Sequence, residues 1–181
     1  MDAVRDDLDH RLLLKELPMN AKDAIISSME LGYTVLKSYF SDMTDAELMK
    51  RPSPGCNHLA WQLGHLITSE VGLVDQVCPG AAPALPEGFA AVHGKENAVS
   101  DDASKFYTKQ QYLDLLDQVR AASVAALKAL PDEELDKPGP ERMRRLCPTV
   151  GSFFILIATH PMMHAGQFVP VRRALGKPIL I

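Results

Sequence analysis

The sequence is poor in several features that mark specialised classes of protein. Its three cysteines are an odd number without close pairing, which disfavours a disulfide framework and indicates a reducing, cytoplasmic compartment. Basic residues are not in excess, since 19 Lys and Arg against 23 Asp and Glu give a net charge of −4. Binding to nucleic acid is therefore not expected. With 181 residues, 46% of them hydrophobic, the chain can fold around one core without a structural metal.

Long hydrophobic runs are also missing. Segment 147–171 has no Asp, Glu, Lys or Arg over 25 residues, which raises the question of a membrane span. However, its second half contains two histidines and two prolines, and only 153–158 is continuously apolar. The first 16 residues carry eight charges and no apolar signal core. We therefore expect neither a membrane span nor a secretory signal.

Strand-like alternation of apolar and polar residues does not compete with helical periodicity anywhere in the chain, so the predicted fold is all-α. The pattern predicts four helices. Asn57, Thr108 and Thr149 are predicted to start the last three, and Thr44 with Glu47 forms a capping box before a short helical turn. The predicted helices are 20–40, 57–77, 108–130 and 149–175.

We predict one bundle domain over 20–178, preceded by an N-terminal extension over 1–19. The connection 79–105 is long for a helical bundle. Connections of this length often cover functional sites, and His93 within it is a candidate for a lid residue.

Two histidines lie on the apolar face of the last predicted helix. His160 and His164 are one turn apart, about 5 to 6 Å between their Cβ atoms, so both imidazoles can reach one metal ion. Two hydrogen-bonded core histidines would also explain the pair. A zinc peptidase is disfavoured because Pro161 stands where such an enzyme needs its catalytic glutamate.

A third histidine comes from the second predicted helix, in the run NHLAWQLGHL over 57–66. His65 shares its face with His58, Trp61, Ser69 and Gly72, and this stripe differs from the fully apolar one. Three neutral imidazoles with an open position are typical of catalytic divalent sites.

These residues resemble the DinB/YfiT-like metalloenzyme superfamily. The resemblance is carried by Asn57, Trp61 and His65 together with the segment ATHPMMHAGQFVPVRRALGKP over 158–178, and by the loop PALPEGF over 83–89. It covers about 20–178.

The resemblance implies a four-helix bundle in up-down-down-up order that binds one divalent metal ion, Zn or Ni, through His65, His160 and His164. It also implies a thiol S-transferase or hydrolase that acts on a small electrophilic substrate with a low-molecular-weight thiol, and a homodimer. A non-catalytic metal-binding or stress-associated bundle is the alternative function. A metal-free interaction protein, with the histidines scattered, is the third.

Several further residues are candidates without an assigned role. His58, Gln167 and Trp61 are the candidate substrate-binding residues, although Trp61 also fits core packing. No catalytic base is identified. No feature of the pattern supports Glu30 in this role, and Glu70 is expected to be solvated on the far side of its helix. Cys56 fits either an inert surface thiol or a nucleophile. A cluster of three arginines fits either a solvated surface patch or a site for an anionic group, and it consists of Arg142, Arg144 and Arg145.

Overall fold

The computed structural model describes residues 19–179, and within this range it contains helices and no strand. The all-α prediction is therefore confirmed. No helix of this part of the chain has the length and apolar character needed to cross a membrane. The α-helices, in chain order, are α1 (Ala21–Phe40), α2 (Asp45–Leu48), α3 (Leu59–Val77), α4 (Phe89–Val92), α5 (Lys109–Ala129) and α6 (Val150–Ala174).

Capping side chains set where the long helices begin. Asn20, Thr108 and Thr149 each accept a hydrogen bond from the backbone N–H three residues on, in a reciprocal capping box. The start of α3 differs from the prediction. His58, and not Asn57, is its N-cap, because the His58 Nδ1 accepts from the N–H of Trp61 at 3.0 Å.

Contacts between the long helices define their directions. Helices α1 and α6 run parallel, since Gly32 approaches Ala158 near one end and the Tyr39 carbonyl accepts from Arg172 near the other. Helix α5 runs antiparallel to α1, because Lys109 at its start donates to the carbonyl of Ser41. Helix α3 runs antiparallel to α6, because Gln62 contacts His164 while His65, later on α3, contacts His160, which is earlier on α6.

The resulting order is up-down-down-up, as predicted. The parallel pair α3 and α5 requires a connection that returns along the bundle, and 78–108 provides it with α4 and two short 3-10 turns. In this bundle α1 and α3 lie diagonally opposite, and α6 packs against both of them. The core between the helices contains fully buried aromatic and aliphatic side chains, among them Phe40, Tyr112, Phe153, Phe154 and Phe168.

Candidate metal centre

Helices α3 and α6 bring three histidines together near the middle of the bundle. His65 comes from α3, and His160 and His164 come from successive turns of α6. One nitrogen from each ring lies within 4.8 Å of the others. The ring centroids are 5.3 Å apart for both pairs that include His65 and 4.9 Å apart for the α6 pair. Imidazoles this close need only small rotations to contact one ion.

A buried amide orients the His164 ring. The Gln62 Nε2 donates to the carbonyl of Asn57 at 2.9 Å, so the Gln62 Oε1 is the acceptor that faces His164. The His164 Nδ1 lies 3.0 Å from this oxygen and must therefore carry the proton. Its Nε2 is left with a free lone pair. Hydrogen bonding of the remote nitrogen is the usual way in which proteins orient a metal-ligating histidine.

The His65 ring is held by stacking. The indole of Trp61 lies parallel to it, with ring centroids 5.1 Å apart and an interplanar angle of 5°. The indole is itself anchored, because its Nε1 donates to the carbonyl of Gly94 at 3.0 Å. The Ser69 hydroxyl lies 3.5 Å from the His65 Nε2. Trp61 therefore both packs in the core and positions His65.

The environment favours neutral imidazoles. Burial, together with a smaller contribution from the neighbouring histidines, lowers the pKa of His160 and of His164 to about 4. Burial also lowers the pKa of His65. At neutral pH the three rings are uncharged and their lone pairs are available. The residues therefore fit a divalent metal ion, which requires deprotonated imidazole ligands.

Two of the three histidines face an open cavity of about 610 Å³, which we call the site cavity. His164 lies behind them and is buried. The wall is formed by α3, α6 and the segment between α5 and α6, and none of it comes from 79–105. The expected lid over this cavity is therefore wrong. The lining residues are His65, Ser69, Gly72, Leu73, Gln76, Met143, Leu146, Leu156, His160 and Met163.

His58 does not line the cavity. It is fully buried at the start of α3, with its ring edge against Phe106 at a centroid distance of 4.4 Å. Burial lowers its pKa to about 4. The prediction that His58 lines the pocket is therefore wrong. Its Nδ1 accepts the capping hydrogen bond of α3, and its ring is buried in the core.

Gln167 and Trp61 also lie outside the wall of the site cavity. Gln167 is half-buried on α6, and its side chain makes no hydrogen bond with any described residue. Trp61 contacts the site only through the His65 ring. Their assignment as substrate-binding residues stays a prediction. Met163, which the helical pattern places on the buried face, is 62% exposed.

Glu70 is buried, and the expectation that it is solvated is wrong. Its Oε2 accepts from the Arg120 Nη2 at 2.8 Å, so α5 supplies the counter-charge. Burial raises the pKa of Glu70, and the guanidinium of Arg120 opposes this effect. Glu30 is exposed on α1 and does not line the site cavity.

His93 is a core residue and not part of a lid. Its Nε2 lies 2.8 Å from the hydroxyl of Tyr112, and its ring fills the space beside Gly64 on the back of α3. Cys56 is half-buried with its Sγ 3.0 Å from the Ser53 hydroxyl. The exposed residues Arg142, Arg144 and Arg145 flank wall residues without lining the cavity themselves.

Gln62 is the functional candidate that the sequence pattern did not single out. A glutamine within an amphipathic helix carries no ligand signal of its own. Its spacing of three residues before His65 places it on the same side of α3. That spacing is the signal that could have identified it, once α6 was known to pack there.

With this geometry established, the chain can be compared with known proteins. The model of the DinB superfamily matches residues 29–168, and the chain belongs to this family. The resemblance found in the sequence is confirmed. In sequence, no curated protein matches the chain.

Two solved structures share the fold. A conserved protein from Enterococcus faecalis is 17% identical, with a TM-score of 0.67 over 88% of this chain and 99% of its own. YfiT from Bacillus subtilis is 18% identical, with a TM-score of 0.60 over 91% of this chain and 93% of its own. YfiT is described as a probable metal-dependent hydrolase with an unusual four-helix bundle topology. At these identities the likeness concerns the fold, and it agrees with the four-helix bundle described above.

Proposed function

We propose that the protein binds one divalent metal ion, Zn or Ni, through His65, His160 and His164. We further propose that it is a thiol S-transferase or hydrolase acting on a small electrophilic substrate. The observation that carries this proposal is the convergence of three neutral imidazoles, two of which face the site cavity. When bound, a divalent ion lowers the pKa of a thiol or a water and so supplies a nucleophile at neutral pH.

The number of ligands supports catalysis over a structural role. In the part of the chain that the structure describes, the cluster contains three histidines and no fourth Cys, Asp or Glu. The Gln62 Oε1 accepts from the His164 Nδ1 and so is not offered as a ligand. Structural zinc sites are closed by four protein ligands, whereas catalytic sites keep one position open.

The source of a thiol nucleophile follows from the cavity wall. None of Cys56, Cys78 and Cys147 lines the site cavity. A thiol that reacts there would have to come from a separate molecule, and this favours a low-molecular-weight thiol as co-substrate. No Asp or Glu lines the cavity either, so we assign no carboxylate of the chain as a general base.

Cobalt substitution tests the proposal against the non-catalytic alternative. The Co²⁺-loaded protein is titrated with a small thiol while its visible absorption is recorded, and thiol consumption is then measured with an epoxide or alkyl halide. An activated ester tests the hydrolase reaction. We expect a spectral change on thiol addition and turnover of an electrophile that His164→Ala abolishes. An unchanged spectrum without turnover would favour a structural ion. The proposed homodimer is tested separately by light scattering.

A further inference from the structure

The wall of the site cavity contains no charged side chain. Charged residues make up 23% of the chain, but none is among the ten that line this cavity. Beyond the two imidazoles, the polar side chains are Ser69 and Gln76. The other side chains are aliphatic or thioether groups, namely Leu73, Met143, Leu146, Leu156 and Met163.

Two apolar side chains of the wall are exposed over most of their surface. Leu146 is 68% exposed and Met163 is 62% exposed. Both line the cavity, one from the segment before α6 and one from α6 itself. A molecule that fills the cavity would contact both. An apolar group placed there is removed from water, whereas a charged group that does not contact the metal position loses its hydration without a counter-charge from any side chain of the wall.

Gly72 keeps part of this space free. It lies seven residues after His65 and therefore on the same face of α3. A Cβ built at Gly72 meets no atom within 4 Å, so the backbone around it does not require glycine. Gly64 on the same helix is different, because a Cβ there would lie 2.0 Å from the His93 ring. Since glycine weakens a helix interior, its presence at position 72 is better explained by the open space than by the fold.

We propose that the substrate group occupying the site cavity is uncharged and mostly apolar, and that Gly72 is a specificity-determining residue that keeps the cavity open to it. This inference rests on the proposed function, because it assigns the cavity to the substrate of the metal centre. The volume of about 610 Å³ lies within the usual range for small-molecule pockets. The basic residues next to Met143 and Leu146 are outside the wall, so they do not provide an anion site within it.

A matched pair of fluorescent probes tests the charge preference. N-phenylnaphthylamine is neutral, and anilinonaphthalene sulfonate has the same ring system with one negative charge. Both are titrated into the full-length protein, as isolated and after dialysis against a chelator. We expect the chelated protein to bind the neutral probe at least about tenfold more tightly, because the sulfonate finds no partner in the wall.

The variant Gly72→Lys then tests the position. An amino group at this position should weaken binding of the neutral probe and provide an ion-pair partner for the sulfonate. We expect the ratio of the two dissociation constants to shift at least about tenfold towards the anion. Gly166→Lys is the control, since Gly166 is also a helical glycine with free space around its Cβ and lies outside the site cavity. It should leave the ratio unchanged.

Three results would overturn the inference. They are tighter binding of the anion by the chelated wild-type protein, an equal shift in both lysine variants, and absence of saturable neutral-probe binding. If probe binding is absent and light scattering shows a dimer that Gly72→Lys dissociates, a second copy of the chain covers the cavity instead. Metal content of the same samples separates the two proposals, because probe binding to the cavity does not depend on the ion.

Discussion

Two groups of polar side chains include residues on neighbouring turns of α3, the half-buried His65 and the buried Glu70, and they compensate for burial in different ways. At His65 the partners are other neutral imidazoles, and the group opens onto a cavity. At Glu70 the partner is the opposite charge of Arg120, and both side chains are less than 10% exposed. The imidazoles of the first group have nitrogen lone pairs available for a ligand, whereas the charges of Glu70 and Arg120 neutralise each other.

This difference distinguishes residues that stabilise the fold from residues that are available to bind a ligand. The Glu70 ion pair joins α3 to α5, and its loss would leave a charge in the core. The ring of Tyr33 on α1 lies over the Arg120 guanidinium at 5.9 Å, so a third helix contributes. The histidine group has no comparable partner for His160, whose imidazole makes no hydrogen bond with a side chain or backbone group of residues 19–179. We therefore expect its variants to affect metal binding far more than stability.

The largest effect is expected from breaking the ion pair. Arg120→Met should lower the free energy of unfolding by about 3–5 kcal/mol, because it leaves the Glu70 carboxylate buried without its counter-charge. Urea denaturation measures this loss. The double variant Glu70→Leu with Arg120→Met should return to within about 1 kcal/mol of the wild type. A double variant less stable than the single one would contradict this account of the pair.

The next effect concerns the orientation of His164. Gln62→Leu removes the acceptor of the His164 Nδ1 proton, and we expect metal affinity to fall about 10–100-fold. Competition with a chelating dye measures the affinity, and saturating metal should still fill the site. Gln167→Leu is the matched control, since this glutamine lies on α6 without contacting the triad through a hydrogen bond. Equal losses in the two variants would argue against orientation by Gln62.

The pH dependence of stability sharpens the same comparison. In Arg120→Met, burial still raises the pKa of Glu70, while the guanidinium that opposed this effect is gone. The folded state then binds a proton more tightly than the unfolded state, in which the pKa of a glutamate is about 4.3. The contribution of Glu70 to stability should be largest below that pH and be lost as the pH rises through its folded-state pKa, by at most about 1.4 kcal/mol per pH unit. Urea titrations at several pH values should show that the difference in unfolding free energy between the wild type and Arg120→Met grows as the pH rises. A difference that shrinks with rising pH would be inconsistent with a buried carboxylate.

The smallest effect is expected at the candidate ligand itself. His160→Ala should change the stability of the metal-free protein by less than about 1 kcal/mol, since the side chain is half-buried and lacks a hydrogen-bond partner among the described residues. Added Zn²⁺ should stabilise the wild type and not the variant. Thermal unfolding with and without the ion measures both. A large loss in the metal-free variant would mean that the histidines are structural.

The helices were predictable because their ends carry local chemistry. Thr108 and Thr149 are the N-caps of α5 and α6, as predicted. The start of α3 was missed by one residue, because histidine is not a common N-cap and its Nδ1 acts as the acceptor only in this orientation. The periodicity also explains why three histidines could be expected on inward faces of two helices.

Contacts between helices were less predictable. The angular position of Glu70 on α3 says which side of the helix it occupies, but not that α5 places Arg120 against that side. The same applies to Gln62, whose partner His164 lies 102 residues away. His93 illustrates the reverse case, because a residue in a long connection was expected at the site and instead fills the space left by Gly64. Such pairings depend on packing, which one sequence does not display.

Metal content is the most direct test of the central claim, which is that His65, His160 and His164 hold one ion. Tag-free wild-type protein and the variants His65→Ala, His160→Ala and Gln167→Leu are purified in parallel and measured by elemental mass spectrometry. The account predicts about one ion per chain in the wild type and in Gln167→Leu, and loss of the ion in both histidine variants. Wild-type protein that contains no metal and takes up neither added Zn²⁺ nor Ni²⁺ would contradict it.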